Sequence, residues 1–239
     1  MLSLKVRTLF KLIMFATSSA FVLTPSSASA FWLLGFSSAD TLPPGALGAI
    51  AGTGAQFTEV GQPSKHSFTA FIPHAGFRYG ISDKVDIGYR LTQVALPFSS
   101  VGPTLGSEVD AKYLLTSPGS AWQIAAVGGI ALAYVDVSGQ SKSAWSPGAD
   151  LIMSRVLNPR YTLFSELRYV YTAIPTASGG SANNYLNAAG MGVGTKIKLT
   201  SQTSLVPEIG LFDLNGKLEG ANGNGIGLQV GVVLSMRIW

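Results

Sequence analysis

The stretch Ile226-Gly227-Leu228-Gln229-Val230-Gly231-Val232-Val233-Leu234-Ser235-Met236-Arg237-Ile238 decides how this chain is read. Ile226, Leu228, Val230, Val232, Leu234, Met236 and Ile238 share one parity, and Gly227, Gln229, Gly231, Ser235 and Arg237 lie between them. A period of two sustained this far marks a β-strand with one apolar face. The run exceeds the five or six residues usual in soluble sheets and suits a tilted strand that crosses a bilayer in about 9 to 11 residues. The same alternation recurs in Val85-Ile87-Tyr89-Leu91, in Val109-Ala111-Tyr113-Leu115, in Tyr161-Leu163-Ser165-Leu167-Tyr169-Tyr171 and in Met191-Val193-Thr195-Ile197-Leu199.

Composition agrees with a membrane setting. Of 239 residues 47% are hydrophobic and 12% charged, against roughly 25% charged in soluble domains. The mean hydropathy is +0.34. Beyond the N-terminus no stretch reaches the roughly 18 to 20 consecutive apolar residues of a spanning helix, so a helical bundle is not expected. The absence of Cys excludes a disulfide scaffold, Cys-based metal or iron–sulfur sites and cysteine catalysis, and two His leave little metal chemistry. No cofactor is expected.

The first thirty residues read as an address. Lys5, Arg7 and Lys11 form a basic start, Leu12 to Leu23 an apolar run, and Ala28-Ser29-Ala30 a small-x-small cleavage signature, with cleavage expected after Ala30. All acidic residues follow position 30, so removal leaves thirteen basic against twelve acidic residues and a net charge of +1. With no run of Lys or Arg in the mature chain, nucleic acid is not an expected partner. Residues 31 to 45 are expected to be a periplasmic lead-in or a plug, and residues 46 to 239 the folded unit.

Turn signals divide that unit. Tight ones fall at Ser82-Asp83-Lys84, Ser117-Pro118-Gly119-Ser120, Leu157-Asn158-Pro159-Arg160 and Thr200-Ser201-Gln202-Thr203. Looser polar connections fall at about 58–66, 97–104, 137–144, 175–184 and 214–224, an alternation expected when hairpins are short on one side of a membrane and long on the other. Four turns and five loops join ten strands in a single antiparallel all-β barrel, with both mature termini on the tight-turn side. Two strands are weakly written. Residues 46–57 are rich in Gly and Ala, and Ala121 to Val137 is apolar on both faces, although Gly128-Gly129 disfavours a helix there. A missing first strand, or an added one at Phe31 to Phe36, would move the count towards eight or twelve.

Aromatic residues cluster where such strands would meet the interfaces. Phe77, Tyr79, Tyr113, Trp122 and Tyr161 flank the tight turns, and Phe68, Tyr134, Trp145, Tyr171 and Tyr185 lie near the opposite ends. The hairpin Tyr79-Gly80-Ile81-Ser82-Asp83-Lys84-Val85-Asp86-Ile87-Gly88 and the alternating last strand ending in Trp239 resemble those of bacterial outer-membrane β-barrel proteins. The resemblance covers about 46 to 239 and implies an architecture rather than an activity. It implies location in the bacterial outer membrane after export on the N-terminal signal, with outer-membrane lipid and the barrel-assembly machinery as partners. Trp239 falls one residue out of phase with the lipid-facing set, which implies a bulge near the end.

Projecting the alternation inward places Arg78, Arg90, Lys112, Arg168, Lys196 and Lys198 in the lumen with Asp86, Glu108, Asp110, Asp150, Glu166 and Glu208. Lipid-facing Arg or Lys at mid-bilayer costs about 2 to 4 kcal/mol, so this segregation supports the barrel. The charges either pair and fill a narrow interior or line a path for water. Inward glycines at 48, 52, 54, 76, 88, 190, 192, 194, 210, 227 and 231 either ease curvature or leave space. The expected function is a narrow channel or transporter for small polar solutes or ions, weakly selective because six charges of each sign balance. The alternative is a closed structural barrel or a loop-mediated adhesin. Catalysis is not expected. His66 and Ser67 are strand neighbours pointing to opposite faces, and His74, within reach of a luminal carboxylate, reads first as a structural hydrogen-bonder, the commoner role of a lone strand His. Gly190-Met191-Gly192-Val193-Gly194 lacks the Lys-Ser/Thr of a phosphate loop.

Overall fold

The computed structural model describes residues 35–60, 66–94, 104–137, 140–174, 184–218 and 221–239. The expected signal segment, residues 31–34 and the stretches 61–65, 97–103 and 175–183 of the loops expected at about 58–66, 97–104 and 175–184 lie outside the described residues, and the described ends of those loops, 58–60, 66, 104 and 184, are strand. Ten strands follow in chain order: β1 (Leu47–Val60), β2 (His66–Ser82), β3 (Val85–Val94), β4 (Thr104–Leu114), β5 (Trp122–Val137), β6 (Gln140–Val156), β7 (Tyr161–Ile174), β8 (Asn184–Lys198), β9 (Thr203–Leu218) and β10 (Ala221–Arg237). Each pairs antiparallel with its sequence neighbours, and β1 closes on β10, giving an all-β barrel. Closure removes the open sheet edges that a bilayer cannot solvate. Both weakly written strands, β1 and β5, are present.

The tight turns are held by the residues that define them. Pro118 precedes Gly119, whose φ is +77°, and Ser120 N donates to Ser117 O at 3.3 Å, the pattern of a Pro-Gly turn. The Asn158 side chain accepts from Arg160 N and Tyr161 N, and the Thr200 hydroxyl accepts from Gln202 N and Thr203 N. Pro147 and Pro207 sit where the β6–β7 and β8–β9 ladders are interrupted, because neither has an N–H to donate. Beside the first gap the Ser146 hydroxyl bonds the Thr172 hydroxyl at 2.9 Å.

Three expectations are corrected. The loops placed at 137–144 and 214–224 are mostly strand, since Val137 already faces Gln140 and Leu218 faces Ala221. Polar Gly, Ser and Asn residues there keep their backbone ladder although they do not carry an apolar face. No bulge occurs in β10, whose register to β1 and β9 is continuous to Arg237 and Met236. Ile238 and Trp239 are both exposed beyond it, and Ile238 N still bonds Leu47 O at 2.7 Å. The third correction concerns the inward glycines. A Cβ at Gly194 would meet the Phe164 ring, at Gly190 and Gly210 the Phe212 ring, at Gly192 the Glu166 side chain and at Gly88 those of Asp110 and Arg78. Of the two readings of these glycines, eased curvature or space for water, the second fails at these positions, where neighbouring side chains take the room.

A Gly190→Val substitution tests that packing, because the new side chain would also strike the Leu211 carbonyl. The expected loss is about 1 to 3 kcal/mol, read as a lower melting temperature in detergent micelles. An unchanged melting temperature would mean that the Phe212 ring has room to move aside.

Burial confirms two faces. Phe71, Leu91, Val109, Leu132, Leu167, Met191 and Leu211 are exposed on the outer face, as an apolar surface against lipid requires. Exposed Phe77, Tyr79, Tyr113, Trp122 and Tyr161 ring the tight-turn end, with Arg155 over the Trp122 ring at 5.0 Å. Tyr134, Trp145 and Tyr169 are exposed towards the other end. Not every strand charge turns inward, since Glu59 and Arg155 near strand ends and Asp213 within β9 are exposed.

Candidate functional site: the charged waist of the barrel

The interior is layered. In the half towards the longer connections, Ala70, Ile72, Ala131, Ala133, Ala144, Ala188, Phe212 and Leu214 form an apolar cluster. In the tight-turn half a second cluster joins Leu114, Ala125, Val127, Ile152, Phe164, Val206 and Val233 with Phe36 and Ala39. The charged residues occupy the waist between them. Sequence reasoning missed both apolar layers. Their signal was present in strands such as β5 that are apolar on both parities.

Most projected luminal residues are brought together. Asp86, Arg90, Glu108, Asp110, Lys112, Asp150, Glu166, Arg168 and Glu208 are buried, and Arg78 is nearly so. The Arg78 guanidinium holds Asp86 at 2.6 Å and Asp110 at 2.7 Å, with Lys112 at 3.8 Å from Asp86. Arg168 pairs with Glu166 and with Glu208 (2.8 Å), donates to the Gln229 side-chain oxygen at 3.2 Å, and lies 5.2 Å from the Phe212 ring centroid. Glu108 faces Arg90 and Asp150 faces Arg168 across their ladders, but neither carboxylate has a hydrogen-bond partner. Two projected cations stand apart. Lys196 is half-buried, and Lys198, at the end of β8, is exposed. The expected balance of six against six is therefore not found at the waist, where four cations meet six carboxylates among the described residues.

Residues 35–46 run from the tight-turn mouth into this belt. Gly45 N bonds Gly80 O at 2.8 Å at the rim, and deeper in, Leu42 N donates to Asp86 at 3.1 Å and Ala39 N to the Ser154 hydroxyl at 2.8 Å. Lys112 donates to the Ser37 hydroxyl and the Ser38 carbonyl, both at 3.0 Å. Phe36 N reaches Glu208 at 2.5 Å, and Arg90 donates to Gly35 O at 3.3 Å. The Phe36 ring fits where Gly54 and Gly231 have no side chains and lies 5.3 Å from the His74 ring. Gly35 and Phe36 both have positive φ, at +114° and +59°. Such a backbone is costly for Phe and persists because the surrounding contacts hold it.

At the mouth, Lys196 pairs with Asp40 at 2.5 Å. Burial alone would raise the Asp40 carboxyl, but the Lys196 and Lys112 ammonium groups outweigh it and hold it well below the usual carboxylate range. A cleft of about 160 Å³ opens here between Asp40, Leu42, Pro43, Asp83, Leu114 and Gln123. His74 is buried against Ile72 O (3.3 Å) and Phe36, the structural hydrogen-bonding role, with no carboxylate contact among the described residues. The His66 side chain lies outside the described residues.

No protein-family model and no curated protein matches the chain. Solved structures do. The outer-membrane protease OmpT from Escherichia coli aligns at a TM-score of 0.51 with 10% identity, over 84% of this chain and 100% of its own. An outer-membrane channel from Pseudomonas putida F1 aligns at 0.53 with 14% identity, over 83% and 98%. At such identities the likeness speaks to fold, and it includes an enzyme and a channel alike. With a closed ten-strand ring, an apolar outer face and these two structural matches, the chain has the fold of the bacterial outer-membrane β-barrel proteins.

Proposed function

We propose that this protein is a gated conduit for small ions and polar solutes in the bacterial outer membrane, closed at rest by residues 35–46 and without catalytic activity. The observation that carries this reading is the docking of that segment. Its backbone satisfies Glu208, Lys112, Asp86 and Ser154, groups that an unoccupied waist would present to water. A barrel built only as a solid support would gain more from apolar side chains at these positions, because buried ionic groups contribute little net stability. Channel walls need such groups to replace the hydration of what passes.

The native chain has no Cys, so a single engineered pair tests gating cleanly. An Ala39→Cys/Ser154→Cys protein in planar bilayers is expected to be silent when oxidised and to show brief openings once reduced. Equal conductance in both states would sink the reading. A second reading, a permanently closed barrel, is favoured by the apolar cluster around Ile72, Phe212 and Leu214. It predicts silence in both redox states, whereas an aqueous path requires that layer to wet when the segment leaves.

A further inference from the structure

The waist holds more negative than positive charge, and the excess is localised. Arg78 is engaged by Asp86 and Asp110, and Arg168 by Glu166 and Glu208. Lys112 serves the Ser37 and Ser38 oxygens beside Asp86, and Arg90 reaches the Gly35 carbonyl. Glu108 and Asp150 remain, at 1% and 3% exposure, with all four carboxylate oxygens lacking a hydrogen-bond partner. Buried carboxylates without donors are costly in a closed structure and are the groups that would coordinate a mobile cation when water enters.

We infer that the conduit admits small monovalent inorganic cations in preference to anions, and that Glu108 and Asp150 are the residues that set this preference. The inference rests on the channel reading above and names its substrate class. Two carboxylates that face cations across the ladder but accept no hydrogen bond, in a belt of six carboxylates and four cations between low-dielectric walls, focus a negative potential along the path. Conduction requires that an ion leave as readily as it enters, which two carboxylates allow better than a closed cage of ligands does. Asp40 and Lys196 at the mouth offset one another and leave the excess in place.

The test is the reversal potential of the full-length protein's openings under a tenfold KCl gradient. The wild-type protein is expected to favour K⁺ over Cl⁻ by about fivefold or more. Glu108→Gln/Asp150→Asn should bring the ratio near unity while openings persist. Openings that are non-selective or favour Cl⁻ in the wild-type protein would overturn the inference and leave the channel reading intact. A double variant that opens and keeps the wild-type preference would remove these two residues from it. Silence of the wild-type protein and of the reduced Ala39→Cys/Ser154→Cys protein at all voltages would instead defeat the channel reading, and this inference with it.

Discussion

An Arg168→Met protein is expected to lose about 3 to 5 kcal/mol of stability, the cost typical of stripping one partner from a buried ionic cluster. The side chain is fully enclosed, and it is the shared partner of Glu166, Glu208 and Gln229. Without it, Glu166 and Glu208 lose their counter-charge, Asp150 loses the cation it faces across the ladder, and Phe212 loses the cation near its ring. In micelles the melting temperature should fall by about 10 °C or more. Adding Glu166→Gln and Glu208→Gln to the same protein should recover most of the loss, because the stranded charges are then gone. A single variant that melts within 2 to 3 °C of wild type, on the order of 1 kcal/mol, would show that water reaches these groups and that the waist is not dry.

Deleting residues 35–42 is the second large change, and its readout is conductance. The variant should keep the circular dichroism of a β-barrel, since β1 begins at Leu47, and should conduct at least about tenfold more than the intact protein at equal voltage. The magnitude follows from population arithmetic, in which each 1.4 kcal/mol shifts an equilibrium tenfold. Docking gains several hydrogen bonds of about 0.5 to 1.5 kcal/mol each and the burial of Phe36, and is opposed by the strained Phe36 backbone at about 1 to 3 kcal/mol. Phe36→Ala should therefore lie between the two proteins in open time. A deletion protein that is folded and silent would assign closure to the Ile72–Phe212–Leu214 layer instead.

The barrel was legible because one parity of each strand had to be apolar. The last strand, the hairpin around Asp83 and the inward set from Arg78 to Glu208 follow from that rule alone. Parity says which face a residue takes and nothing about its neighbours across the lumen. That is why Phe212, Leu114 and Ile152, inward and apolar, went unread, and why Lys198 was counted with residues from which its position at the strand end separates it. The glycines were ambiguous because whether Gly194 leaves a void depends on the Phe164 side chain, its register partner on the adjacent strand, and that register is not written in either strand alone. Residues 35–46 carry no alternation at all. Their contacts are mainly through backbone atoms, which no side-chain pattern announces.

The direction in which residues 46 to 35 enter the barrel makes one position decisive for their seating. The segment is tethered at the rim and carries its innermost described residues to Glu208 and Arg168. There the backbone of Gly35 is left-handed, and even a methyl group on it would strike the enclosed Arg168 guanidinium. Any larger residue at position 35 is thus expected to leave the first and last strands zipped together while the segment stays ajar.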